Sequence, residues 1–423
     1  MVINTEHRVA PGDVDISFGD GGKKILSFPG GNFVSVWGMA LTQEGKILAV
    51  GSTNTNSFII GRLTEDGVID TSFGNGGALT GQFLGYPSVG RSIHALNDGK
   101  LLVTGTHIAS DQVLPAASRL LSDGNFDPTF GEGGSFVFPP PGKSTDITIT
   151  HRVKTSGSAS TQSVILPDGK ILIGHSLDDY GLLIRLTADG VLDTSFNGTG
   201  YTSVRYPHGE TLITHMSSFR VAVTGEVIVC GQAQLEDMRF LGMLARYGAD
   251  GRPDNSFGTQ GSGFIGLQPA GRVLRVDDLT VDGSGNIVCV GTLGILGGQQ
   301  AAVTFGRMAD GSPDPDFNNG EITELELPVW SEWYSAAMSP HANTVLMTGI
   351  TFDENYVNQG IIVGRYLRTG QLDENFGRGE GCVFLDPGQE PRLIMQDDSK
   401  VLICCILRLP GPIKEVAVMR LLN

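Results

Sequence analysis

The side chains able to do chemistry are concentrated at a few places along this 423-residue chain. The densest aromatic run is Trp330-Ser331-Glu332-Trp333-Tyr334, with Tyr86 and Tyr206 at corresponding positions of earlier repeats. Flat rings beside a carboxylate suit stacking on the C–H faces of sugars or anchoring a protein partner, and the competing use is packing between strands. His107, His151, His175, His208 and His215 fall within one stretch. An acid–base reaction would draw on His175, His208 and His215. No HxH or HExxH spacing points to a zinc or iron centre. Asp178-Asp179, Glu236-Asp237 and Asp353-Glu354 are acidic pairs. Asp178, Asp179, Asp353 and Glu354 are the candidate metal ligands, against the ordinary use of such pairs as solvated loop charge. There is no GxSxG nucleophile motif, no Walker motif and no dinucleotide-binding motif; Gly294 to Gly298 is a loop.

Composition narrows the partners. Lys and Arg number 29 and Asp and Glu 45, a net charge of −16 that repels phosphate backbones and anionic membranes. Nucleic acid is therefore excluded as a partner, and a protein or a glycan is expected. With 40% hydrophobic and 17% charged residues the chain is not disordered. Cys230, Cys289, Cys404 and Cys405 sit in apolar runs and, with Cys382, read as buried thiols. The longest apolar runs, such as Val401 to Leu407, fall short of the ~18 residues of a membrane span. No basic, then apolar, signal peptide opens the sequence, so the expected address is cytoplasmic, or exported without a Sec signal. A monomer is the default oligomeric state.

The elements that position these residues come from a repeat. Asp-x-x-Phe, usually followed by Gly, recurs as Asp15-Ile-Ser-Phe18, Asp70-Thr-Ser-Phe73, Asp127-Pro-Thr-Phe130, Asp193-Thr-Ser-Phe196, Asp254-Asn-Ser-Phe257, Asp314-Pro-Asp-Phe317 and Asp373-Glu-Asn-Phe376. An Arg stands eleven residues before the Phe as Arg62, Arg119, Arg185, Arg246 and Arg365, and ten before it as Arg307; Arg420 is the seventh of the series. Each repeat reads as four short strands, A to D. In the second, A is about Arg91 to Leu96, B is Lys100 to Thr106, C is about Ala116 to Leu121, and D follows Gly134. Asp-Gly turns join A to B and C to D. No helical period is present. The fold class is all-β: a seven-bladed β-propeller of four-stranded antiparallel blades. It spans residues 1–423 as one domain, with blade 7 shared between residues 14–28, which supply strand D, and 391–422, which supply A to C. Residues present seven times are structural: the Phe packs between blades, the Asp caps its own turn, and the Arg ties blade to blade. Calcium loops at Asp66/Asp70, Asp123/Asp127 and Asp189/Asp193 would offer two side chains each where calcium takes 6–8 oxygens, so no cofactor is expected, calcium being the alternative.

Asp-Thr-Ser-Phe-Gly-Asn-Gly-Gly77 and Leu-Pro-Asp-Gly-Lys170-Ile-Leu-Ile resemble the delta-sixty repeat family of bacterial β-propellers over nearly the whole chain. The resemblance implies the propeller and a bacterial source, and no single activity. The last blades depart from it, with Thr-Gly370 for Asp-Gly and Pro-His-Ala-Asn343 for Pro-Asp-Gly. Strand parity places the variable B–C and D–A connections on one face, which is the expected binding face. The insertion at residues 139–161, with His151, Arg152 and Lys154, lies on it. His175 and Cys405 replace the Gly that ends strand B elsewhere (Gly51, Gly105, Gly231, Gly291, Gly349), which marks them as departures from a structural rule. The expected function is a non-enzymatic binding scaffold for a protein or glycan, with Trp330, Glu332, Trp333, Tyr334, Tyr86, Tyr206, His175 and His208 as contact residues. A propeller lyase or hydrolase and a leaderless exported effector are the alternatives.

Overall fold

The computed structural model describes residues 9–423 apart from 30, 110–111, 140–160, 259–260, 296–297, 340–342, 398 and 409–413. The insertion carrying His151, Arg152 and Lys154 lies outside the described residues.

Seven four-stranded antiparallel sheets follow one another and form a seven-bladed propeller. The A strands of blades 1 to 7 are Ser35–Leu41, Ser88–Ala95, Gln162–Ile165, Thr211–Val221, Val273–Val281, Trp330–Met338 and Gly388–Asp397. In blade 2 the order continues with Leu101–Ala109, Gln112–Leu120 and Ser135–Val137. Blade 7 uses both ends of the chain: Lys400–Arg408 and Lys414–Leu422 complete its B and C strands, and Lys23–Ile25 is its outer strand, pairing Lys23 with Met419 and Ile25 with Ala417. Strand B is the sheet centre and has a neighbouring blade on each side, which is why it reads as a continuous apolar run such as Ile47–Val50, every residue buried. Among the described residues helical structure is confined to single turns such as Phe83–Gly85. All five cysteines are buried and free.

The repeated Arg, Asp and Phe form one device at the rim. In blade 2 the Arg119 Nε donates to Asp127 at 2.7 Å, and the other Asp127 oxygen accepts from the Thr129 amide and hydroxyl. Arg119 also donates through Nη1 to the Ala188 carbonyl of blade 3 at 2.6 Å, and its guanidinium lies 5.1 Å from the Phe130 ring centre. Asp127 is thereby held well below the usual carboxylate range, chiefly by the Thr129 hydroxyl. Arg420, Asp15 and Phe18 repeat the device at the closure, reaching the Glu65 carbonyl of blade 1. Phe18 then fills the place beside Gly67 where a Cβ would meet its ring at 2.7 Å, so the turn glycine is required by the preceding blade's phenylalanine. Arg62 with Phe73, Arg185 with Phe196, Arg246 with Phe257 and Arg365 with Phe376 keep the same stacking.

Blade 5 breaks the pattern for a simple reason. Arg307 stands one residue late, and a one-residue slip turns a strand side chain to the opposite face. Its guanidinium lies over Phe305 instead of Phe317, and its Nε and Nη1 are buried without partners. Asp314 is served by Arg368 of blade 6 instead, at 3.1 Å.

Candidate functional site

The strand that lines the axis is irregular in a regular way. Strand A of blades 1, 2, 4, 5 and 6 carries a one-residue β-bulge, at Trp37, Arg91, Ser217, Asp277 and Tyr334. In blade 7 the shift spans Glu390 and Pro391. A bulge re-aims the extra side chain and steepens the local twist. It also drives the preceding carbonyl into strand B: a Cβ on Gly105 would stand 1.9 Å from the Val89 oxygen, and Gly51, Gly231, Gly291 and Gly349 face the same approach at 1.8 or 1.9 Å. The glycine rule of strand B is thus a consequence of the bulge. The two exceptions follow from it as well. Cys405 lies opposite the wider irregularity of blade 7, and His175 belongs to blade 3, whose described strand starts at Gln162 without a bulge. The bulges also explain why strand A of blade 2 begins at Ser88, three residues before the expected Arg91: the extra residue interrupts the alternation by which a strand is read.

The re-aimed side chains meet in the axial channel, a cavity of about 780 Å³ lined by strand A residues of all seven blades, Trp37, Arg91, Gln162, Ser217, Asp277, Tyr334 and Glu390 among them. On blades 3 to 6 the wall is knitted together. The Ser218 hydroxyl donates to Asp278 at 2.6 Å and lies 2.9 Å from the Gln162 side chain, which accepts from the Phe219 amide at 3.3 Å; Asp278 also takes Arg220 at 2.9 Å and the Ala336 amide at 3.0 Å. Nearer the B–C and D–A face, the Arg275 Nε–H is shared by the two Asp277 oxygens at 2.8 and 2.9 Å and Nη2 donates to Glu332 at 3.0 Å, while the Tyr334 hydroxyl donates to the same Glu332. Burial opposes the Arg275 charge, but Asp277 and Glu332 together raise its pKa above the ordinary value. Burial and the Glu332 charge keep the Tyr334 phenol protonated.

On blades 7, 1 and 2 the wall is different. Arg91 lies over Trp37, 3.8 Å from the ring centre, and burial lowers its pKa to about 10. The hydrogen bond of Arg392 is to the adjacent Pro391 carbonyl, at 3.2 Å. Burial raises the Glu390 carboxyl. Trp37 Nε1, Arg91 Nε and Glu390 Oε2 are covered atoms without a hydrogen-bond partner.

The residues singled out in the sequence scatter around this site. Consecutive members of the blade 6 run go to different places. Trp333 is fully buried in the packing between blades, edge-on to Tyr366, and is not open to a ligand. Glu332 and Tyr334 belong to the channel network. Trp330 joins an aromatic group on the outer face with Phe352 and Tyr356, at 6.0 and 4.9 Å. Tyr86 is half exposed and packs on His107, whose Nδ1 donates to the Phe83 carbonyl. Tyr206 meets His208 edge-on, and His208 bonds Ser262 at 2.9 Å. His175 is buried, held by Thr161 at 2.7 Å, and burial drives its pKa down to about 3, so it is a neutral packing residue. Of His175, His208 and His215, His215 alone lines the channel. Asp353 accepts from the Asn355 and Val357 amides of its own turn, and Asp179 faces Arg205 at 3.6 Å. Among the described residues no three His, Cys, Asp or Glu side chains gather as metal ligands, so Asp178, Asp179, Asp353 and Glu354 do not form one site.

Arg91, Arg275, Asp277, Glu390 and Arg392 escaped the sequence reading. A signal existed: Trp37, Arg91, Thr161, Ser217 and Asp277 each stand eight residues before the glycine of their A–B turn, a column that varies where its neighbours repeat.

A family described as a domain of unknown function (DUF5122) beta-propeller matches at residues 44–73, 96–130 and 166–196. These segments run from the A–B turn to the repeated Phe of blades 1, 2 and 3. No curated protein matches the chain in sequence. Among solved structures it is similar to a protein of unknown function from Dyadobacter fermentans DSM 18053, with 12% identity over 95% of this chain and 98% of that one and a TM-score of 0.46. It is similar also to a PL25 ulvan lyase bound to its saccharide (9% identity, 98% and 94% covered, TM-score 0.48) and to Chaetomium thermophilum Sqt1 bound to the N-terminus of ribosomal protein L10 (11%, 92% and 97%, TM-score 0.38). No helix among the described residues is long and apolar enough to cross a membrane.

Proposed function

We propose that the protein is a non-enzymatic binding propeller whose ligand, a glycan or a protein segment, enters the axial channel from the face of the B–C and D–A connections. The observation that carries this reading is the set of strand A bulges. A repeated scaffold places a different side chain at the bulge of five blades, Trp37, Arg91, Ser217, Asp277 and Tyr334, and all open on one cavity. Its volume falls within the roughly 300–1,000 Å³ of ligand pockets, and it combines aromatic faces with a few polar groups, as such pockets do. The acids and bases of blades 5 and 6 are engaged with one another: Arg275 with Asp277 and Glu332, and Tyr334 with Glu332. That arrangement supports recognition over proton transfer.

The test is a thermal-shift screen of monosaccharides, oligosaccharides and short peptides against the wild type and Ser217→Trp, which fills the lumen. A ligand that raises the wild-type Tm by several degrees and leaves the variant unmoved supports the channel. Equal shifts in both would move binding elsewhere and overturn the reading. Glu390 favours the second reading, a hydrolase or lyase, because burial raises its pKa in the direction a general acid needs. Cleavage of an oligosaccharide by the wild type and not by Glu390→Gln would establish it.

A further inference from the structure

The charged groups of the channel are paired on one arc and left apart on the other. Arg91 of blade 2 and Arg392 of blade 7 reach no carboxylate at ion-pair distance among the described residues; the one stacks on Trp37 and the other bonds a neighbouring carbonyl. Glu390 lies on the same arc and accepts no hydrogen bond there, although the fields of both arginines act on it. Arg91 Nε and Glu390 Oε2 are covered and unpartnered, and Arg91, Glu390 and Arg392 all line the lumen. Two guanidiniums and one carboxylate brought into one cavity without touching are costly unless something else engages them. Elsewhere in the same channel each arginine has its acid: Arg220 has Asp278, and Arg275 has Asp277 and Glu332.

We propose that the arc formed by Trp37, Arg91, Glu390 and Arg392 on blades 7, 1 and 2 is a receptor for a polyhydroxy monocarboxylate, in chemical class an acidic sugar. This assignment deepens the channel-binding reading and rests on it. The arc sets two guanidiniums, Arg91 and Arg392, against the one carboxylate of Glu390, on which Lys414 also acts, so an anionic group is favoured there. A guanidinium fork holds a planar carboxylate through paired N–H donors. Glu390 then needs a donor beside that carboxylate. An ammonium would satisfy it but would sit between two guanidiniums and be repelled, whereas a hydroxyl donates to Glu390 without charge. A phosphate dianion would meet the Glu390 charge head-on. The rings of Trp37 and Tyr334 offer apolar faces for sugar C–H groups, and Ser217 and Gln232 offer neutral partners for further hydroxyls.

Isothermal titration calorimetry with D-galacturonate tests the assignment on the full chain. The expected result is saturable one-to-one binding, with D-glucose, L-glutamate and inorganic phosphate each at least about tenfold weaker, the loss of one charge-assisted contact. Arg392→Gln should lose at least about tenfold in affinity while its Tm stays at the wild-type value, since the side chain bonds only a backbone carbonyl. Glu390→Gln should narrow the discrimination against phosphate. Ser217→Trp should lose D-galacturonate altogether. Phosphate binding as well as D-galacturonate, or an Arg392→Gln variant of undiminished affinity, would overturn the assignment. Absence of D-galacturonate binding alongside a screened ligand that Ser217→Trp excludes would overturn it and leave the channel reading standing. D-galacturonate bound equally by Ser217→Trp would overturn both.

Discussion

Two arcs of the channel wall are built on the same inner strand and behave differently. On blades 3 to 6 a chain of polar contacts runs from Gln162 through Ser218 and Asp278 to the Ala336 amide, with Arg220 and Arg275 paired to acids. On blades 7, 1 and 2 Arg91, Arg392 and Glu390 face the same lumen without such partners. The backbone is common to both arcs: Arg91 and Asp277 are both bulge residues, and Gly105 and Gly291 receive the displaced carbonyl in the same way. The repeat therefore supplies positions, and the individual side chains decide whether a position stabilises the ring or stays available to a ligand.

The comparison can be broken first at its common part. Gly105→Val in the open arc and Gly291→Val in the knitted arc should each cost on the order of 5 kcal/mol, because the new Cβ collides with backbone that cannot move away. Urea unfolding, or loss of soluble protein, reads this out; tolerance of either variant would show that the bulge is not the reason for the glycine. Next, Asp278→Ala should destabilise by about 3–5 kcal/mol, since it strands the buried partners of a 4% exposed carboxylate. Arg392→Gln should cost under about 1 kcal/mol, as expected for a side chain without a structural partner. Similar losses in the two variants would erase the distinction between the arcs.

The rim offers the same contrast at a smaller scale. Arg119→Ala should cost about 2–3 kcal/mol by uncoupling Asp127 and the blade 3 carbonyl, whereas Arg307→Met should be neutral or stabilising, because it removes a buried guanidinium that lacks the Asp and Phe of its own repeat. Denaturant midpoints of the two variants check this.

The smallest effect concerns pH. Burial lowers the pKa of His94, which bonds from blade 2 to Ser163 of blade 3 at 2.9 Å, from 6.5 to about 4. Between those values the unfolded chain binds a proton that the folded chain does not, so stability is complete above pH 6.5 and declines as the pH falls toward 4. His94→Gln should flatten that slope in denaturation series at pH 4 to 7. Some slope should persist, because His175 is displaced in the same direction.

Much of the ring was legible from periodic residues. Phe18 without a repeat before it and Arg420 without a Phe after it identify the two halves of one blade, and the rim device is visible as spacing because Arg, Asp and Phe lie within twelve residues of one another. Arg307, ten residues from its Phe instead of eleven, already announces the altered blade. The channel was not legible in the same way. Trp330 to Tyr334 reads as one aromatic patch, yet Trp333 points between blades, Tyr334 into the lumen and Trp330 to the outer face. His175 reads as a functional exception and is a buried partner of Thr161.

By itself the sequence determined the number of blades, their strand order and the ties that bind them, because those depend on local spacing repeated seven times. Tertiary structure alone decided which side chains share the axis. A bulge reverses the alternation of a strand at a single residue, and Glu390, Trp37 and Arg91, far apart in the chain, become neighbours only when the ring closes and brings blades 7, 1 and 2 together around one cavity.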